Sequence, residues 1–213
     1  MYFEYGEKET DYLKSRDKKL GEAIDRIGHI YRKADPDLFS SVIHHIIGQQ
    51  ISTAAQETIW KRLTHKVGIV NADTLLSMSR EDLQSIGTTF KKVDYMRDFA
   101  EKVKTGTFDM DALKSMTDEE VIRQLSSLKG LGQWTAEMIM TFSMQRPDIV
   151  RCGDLAIHRG MRMLYRHRKI DAVTFRRYRK RYSPYGSVAS LYLWAIAGGA
   201  IPGLTDPAPK RKS

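Results

Sequence analysis

Two short stretches of the sequence combine residue types and spacing that could do chemistry. In Leu128-Lys129-Gly130-Leu131-Gly132-Gln133-Trp134-Thr135-Ala136, two glycines stand one residue apart between a helix expected over 118–128 and a second helix that starts at once. Glycine allows a tight turn and the close approach of another backbone. The unpaired N–H groups opening the second helix make a ready seat for a phosphate. The same pattern also suits an ordinary helix turn with glycine caps. The second stretch is Pro147-Asp148-Ile149-Val150-Arg151-Cys152-Gly153-Asp154-Leu155-Ala156-Ile157-His158-Arg159, where Asp154 follows a glycine and opens a helix twenty residues after Trp134. Taken alone, Asp154 reads as an N-cap, a place that favours Asp for structural reasons.

Charge narrows the choice of partner. The chain carries a formal net charge of +9 over 213 residues. Positions 151–181 hold eleven Lys/Arg against only Asp154 and Asp171. Such a concentrated field favours a polyanion, although a charge run is also what a solvated helix face looks like. The single cysteine, Cys152, excludes an intramolecular disulfide framework, a cysteine-ligated zinc site and an iron–sulfur cluster. No apolar run reaches the length of a transmembrane helix, and the N-terminus is too acidic and polar for a secretory signal. An intracellular protein is expected, cytoplasmic in a bacterium or archaeon.

The elements that must position these residues read as helical throughout. One helix is expected over 11–33 from the period of Leu13, Leu20, Ile24, Ile27 and Tyr31. Asp35-Pro36 marks the start of another, with Asp35 as N-cap, carrying Leu38, Val42, Ile46 and Ile47 and ending at Gly48. Ser52 caps the next, whose Trp60 is assigned to the core. Ser79 and Thr117 open capping-box-like segments, and an amphipathic stretch runs over 90–103. Further helices are expected near 133–145, 154–167, 172–182 and 187–199, with no convincing strand pattern.

Taken together, the glycine hairpin and the Asp154 loop resemble the helix-hairpin-helix/Gly-Pro-Asp superfamily of base-excision DNA glycosylases. Three further segments resemble its 3-methyladenine branch of AlkA type. These are Ile46-Ile47-Gly48-Gln49-Gln50-Ile51-Ser52, Gly132-Gln133-Trp134-Thr135-Ala136, and Ser183-Pro184-Tyr185-Gly186-Ser187-Val188-Ala189-Ser190-Leu191-Tyr192-Leu193-Trp194. The resemblance covers roughly residues 10–205, in the compact form that lacks an N-terminal sheet domain.

That resemblance implies an all-α protein of two helical lobes with a DNA-binding cleft between them. One lobe spans 36–146 and holds the hairpin. The other combines 1–35 with 147–205 and carries the catalytic Asp, and 206–213 is a loose basic tail with Lys210-Arg211-Lys212. Asp154 takes the catalytic position. Trp134, Trp194 and Met138 line the pocket for a flipped base, Met138 replacing an aromatic residue, and both tryptophans would also suit a core. Gln50 takes the wedge position. Gly130, Leu131, Gly132 and Thr135 face the DNA backbone, and the carbonyls of Ser126, Leu128 and Leu131 would hold a structural Na or K ion. Gly186 stands where many members have Arg, which suggests a more open pocket.

The implied activity is hydrolysis of alkylated purines flipped from double-stranded DNA, by a monomer with no membrane attachment and no catalytic cofactor. The candidate bases are 3-methyladenine and 7-methylguanine, with ethenoadenine and hypoxanthine as further substrates. Bifunctional members place Lys where this chain has Trp134, so no lyase activity is expected. The rivals are a non-catalytic helix-hairpin-helix DNA-binding protein and a glycosylase for another lesion. Asp154, both tryptophans and the Gln50 turn argue against the first. Trp134 and the Gln-Gln-Ile-Ser turn argue against the second.

Overall fold

The computed structural model describes residues 1–208; the Lys210-Arg211-Lys212 run lies outside them. Among the described residues the fold is all-α, with a single isolated antiparallel bridge between Tyr2 and Lys33. The chain divides into two compact units, Asp35–Met144 and a second built from Met1–Ala34 and the chain from Gln145 on.

The first unit holds α3 (Leu38–Gly48), α4 (Thr53–Val67), α5 (Ala72–Leu76), α6 (Arg80–Gln84), α7 (Phe90–Lys104), α8 (Asp118–Ser126) and α9 (Gln133–Phe142). Val42, Ile43, Ile46 and Ile47 of α3 and Val93, Met96, Phe99 and Ala100 of α7 form its core. Phe39 stacks on Phe99 with ring centroids 5.0 Å apart. Side-chain caps set most helix starts: Ser52, Asn71, Ser79, Thr89 and Thr117 each accept a backbone N–H of the first turn. Trp60, expected in the core, is half-buried and meets His44 edge-on at 4.9 Å.

The second unit holds α1 (Glu7–Arg16), α2 (Lys18–Ile27), α10 (Leu155–Tyr165), α11 (Ala172–Tyr182) and α12 (Gly186–Ala197). Its tightest seam is α10 on α12. A Cβ on Gly160 would run into the Leu193 carbonyl oxygen, so only glycine lets these helices approach so closely.

Two expectations are corrected. The helix expected over 11–33 is two helices, broken at Asp17, whose backbone is extended (φ −147°, ψ 102°). The Asp17 carboxylate is buried, accepting the Leu20 N–H at 3.1 Å and an Arg181 N–H at 3.0 Å. A one-residue break barely disturbs apolar periodicity, which hides it. Gly28 then ends α2, leaving Tyr31 72% exposed. The cap of α3 is Asp37, not Asp35; the Asp35 carboxylate instead accepts the Asp37 N–H at 3.1 Å. Beyond α12, Arg162 grips the Asp206 carboxylate with two N–H bonds, at 2.9 and 2.5 Å.

Candidate active site

The hairpin is built by α8 and α9. Thr117 and Glu120 form a capping box that starts α8. At its far end the N–H of Ser127 takes the carbonyls of Arg123 and Gln124, and Leu128 N–H takes that of Leu125. Leu128 and Leu131 are buried, and Leu131 N–H donates to Leu128 O at 3.1 Å, closing the turn. Gly130 has φ 85°, and a Cβ there would collide with the Tyr95 ring. Two demands on one position, a left-handed backbone and no side chain, explain glycine there. Gly132 has open space around it and opens α9 without any side-chain cap. The N–H groups of that first turn are therefore available to an anion.

The carbonyls of Ser126, Leu128 and Leu131 suit a cation. They are neutral oxygen donors: Ser126 ends α8, where the dipole is negative, Leu128 and Leu131 lie in the turn that follows, and the Leu128 oxygen spends one lone pair on Leu131. That donor set fits a monovalent ion.

Side chains expected in the site differ in exposure. Trp134, in the first turn of α9, is 51% exposed. Thr135 and Met138 are buried. Gln50 is exposed at the tip of the turn between α3 and α4, with φ 56° in the left-handed region. All these residues belong to the unit Asp35–Met144.

Asp154 and Trp194 belong to the other unit, on the packed pair α10 and α12. Asp154 is the N-cap of α10, and the cap runs through one oxygen alone. Oδ1 accepts from Ala156 N–H at 2.8 Å and Ile157 N–H at 2.9 Å. Among the described residues Oδ2 takes no part in the cap. The residue is 9% exposed, a carboxylate fixed in direction at the mouth of a helix. Trp194 is half-buried. The structural and chemical readings of Asp154 are thus compatible: the cap holds one oxygen and leaves the other.

Asp148, which the sequence pattern does not mark, ties the segment before Asp154 to α11 and α12. Its Oδ1 accepts from Arg179 at 3.0 Å and from Gly186 N–H at 3.0 Å, and its Oδ2 from the Ser183 hydroxyl at 2.6 Å. The Ser187 hydroxyl donates to the Arg146 carbonyl and accepts the Ile149 N–H at 3.0 Å, and the Ser190 hydroxyl donates to the Ile149 carbonyl at 2.9 Å. A Cβ on Gly186 would stand 2.5 Å from Val150 Cγ2 and 2.6 Å from Asp148 Oδ1. Asp148 and Val150 fill the space that a side chain at position 186 would need. Neighbours so distant in sequence leave no local signal.

The basic stretch sorts in the same way. Arg179 is committed to Asp148, Arg181 to Asp17, and Arg162 to Asp206. Arg166, Arg168, Lys169, Arg176, Arg177 and Lys180 are exposed and better placed to meet a polyanion. No helix among the described residues is long and apolar enough to cross a membrane.

The crystal structure of DNA-3-methyladenine glycosidase from Bacillus halodurans is 34% identical and superposes with a TM-score of 0.82, over 93% of this chain and 93% of that one. DNA-3-methyladenine glycosylase 1 of Schizosaccharomyces pombe is 27% identical over 161 residues, 73% of this chain and 71% of that protein. YfjP of Bacillus subtilis is 25% identical over 172 residues; the match takes in 75% of this chain but only 59% of that longer relative. Residues 43–184, well over half the chain and including both the hairpin and Asp154, match the HhH-GPD superfamily base excision DNA repair protein family, and the chain belongs to that family.

Proposed function

We propose that this chain is a DNA glycosylase that hydrolyses the N-glycosidic bond of alkylated purines in duplex DNA, leaving an abasic site that opens base excision repair. The observation that carries the reading is Asp154: a buried carboxylate with one oxygen tied to two backbone N–H groups and the other outside the cap. The names of the relatives above support 3-methyladenine as the first substrate. 7-Methylguanine follows, with ethenoadenine and hypoxanthine as further candidates.

As the C1′–N bond lengthens, positive charge grows on the sugar. The Asp154 carboxylate offsets that charge and orients or deprotonates the attacking water. An N-alkylated purine is already cationic and leaves as a neutral base, so the reaction needs little acid assistance. Trp134, half exposed, offers a ring face for such a base; cation–π stacking contributes about 0.5–2 kcal/mol. The family resemblance assigns Trp194 and Met138 to the apolar lining as well. Gln50 enters the gap left in the stack. The open first turn of α9, with Gly130, Leu131, Gly132 and Thr135, takes a phosphate, and an Na or K ion on Ser126, Leu128 and Leu131 would add positive charge beside it. The tryptophan at position 134, where bifunctional members carry lysine, supports hydrolysis without strand cleavage.

The test is base release from methylated duplex DNA, with free bases separated by chromatography and strands run on a gel. The expected result is free 3-methyladenine or 7-methylguanine with uncut strands. Tight DNA binding without release would favour a non-catalytic binder, and cut strands would remove the monofunctional assignment.

A further inference from the structure

Lys92 lies on α7, which carries none of the expected site residues. Its ammonium reaches the C-terminal end of α3, donating to the Ile47 carbonyl at 2.8 Å and the Gln49 carbonyl at 2.7 Å. The last carbonyls of a helix lack helical partners, and a cation there also meets the negative end of the dipole. Lys92 is thus a cap supplied by a neighbouring helix, and its burial pushes the ammonium pKa down. The next residue along α3's exit, Gln50, sits at φ 56°. A non-glycine residue there is strained and needs its surroundings to hold it.

The same turn is tied to the hairpin. Gln49 Nε2 donates to the Gly130 carbonyl at 2.5 Å. Tyr95, three residues after Lys92, packs its ring against Gly130, and Asp98, three further on, pairs with Lys129 at 2.7 Å. Positions three apart share one side of a helix. One side of α7 therefore holds the Gln49-Gln50 turn at position 92 and the hairpin at positions 95 and 98, while Gln49 joins the two loops directly.

We propose that Lys92 is a positioning residue which, with Gln49, locks the Gln49-Gln50 turn in register with the hairpin at Gly130, so that Gln50 and the phosphate-binding turn meet duplex DNA as one rigid unit. The part played by Gln50 rests on the glycosylase reading above; the lock itself does not.

The experiment uses the full chain with Lys92→Met, Lys92→Arg and Gln49→Ala. In DNA-free protein, NMR amide exchange at Gly48 and Gln49 is expected to be about tenfold faster in Lys92→Met, the scale of losing hydrogen bonds from a charged donor. The middle of α7 keeps its protection, and Lys92→Arg, which can still bridge two carbonyls, stays near wild type. Exchange at Gly48 and Gln49 unchanged in Lys92→Met would overturn the lock. On duplex DNA with 2-aminopurine beside an alkylated base, the fluorescence gain at saturating protein is expected to fall in Lys92→Met and Gln49→Ala. A full gain in both would overturn the positioning role. If Lys92→Met does not fold, Gln49→Ala carries the same judgement. A wild-type protein that gives neither fluorescence gain nor base release would sink the glycosylase reading, while the exchange measurement would still decide the lock.

Discussion

The starts of α9 and α10 treat the same physical opportunity in opposite ways. Each presents the positive end of a helix with unpaired N–H groups. α9 opens at Gly132 with no capping side chain, next to the exposed Trp134, whereas α10 opens at Asp154, whose carboxylate fills the position. The empty start suits an anion that arrives from outside. The filled start holds an anion that must already be in place. Glycine at an N-cap costs only a few tenths of a kcal/mol against Ser, Thr or Asp, so leaving α9 open costs little stability.

The largest expected effect falls on the filled side. Gly160→Ala drives a methyl group into the Leu193 carbonyl and pries α10 from α12. It should destabilise the protein by about 3 kcal/mol or more, read from denaturant midpoints. A change below about 0.5 kcal/mol would mean the seam is not tight. Next, Gly132→Asp converts the empty start into a filled one. The position has room and an ordinary extended backbone (φ −96°, ψ 172°), so the fold should be unaffected. Affinity for duplex DNA should fall about tenfold or more, as a fixed carboxylate displaces a phosphate. Affinity equal to wild type in a filter-binding titration would break the comparison. Asp154→Ala should cost about 1 kcal/mol through the lost cap alone, separable by calorimetry from any loss of turnover.

The smallest effect tests the Arg162–Asp206 pair. The Arg162 guanidinium, bonded to Asp206, holds its carboxyl below the usual range. A carboxyl lowered in the folded state stabilises above its unfolded pKa of about 3.9, and that stability disappears as pH falls through the folded value. Wild type should therefore exceed Asp206→Asn in stability near neutrality, begin to converge on it below about pH 4, and match it only once the lowered carboxyl is protonated. A gap that does not close on acidification would assign the difference to something other than this ion pair.

Local signals made much of the fold legible. Asp171 and the period of Phe175, Tyr178 and Tyr182 mark α11, and the Thr117–Glu120 box marks the start of α8. Asp17 shows where that reading stops, since its extended backbone is held by Arg181, 164 residues away. Asp35 and Asp37 compete for one cap, and residue type alone does not choose between them. In the candidate site, the glycine hairpin and Asp154 stand out because backbone freedom and a helix start leave a mark on sequence. Lys92, Gln49 and Asp148 act across long separations on backbone atoms, which any sequence supplies, so nothing nearby announces them.

The most direct test of the central claim is single-turnover base release by Asp154→Asn on methylated duplex DNA, with binding measured in parallel. Asn caps a helix as well as Asp does, so the fold, the α10 start and the DNA affinity should all survive. Base release should fall by about a thousandfold or more, because the charge opposite the developing cation is gone. Release within a few-fold of wild type from a folded, DNA-binding variant would remove Asp154 from the chemistry and leave it only a helix cap.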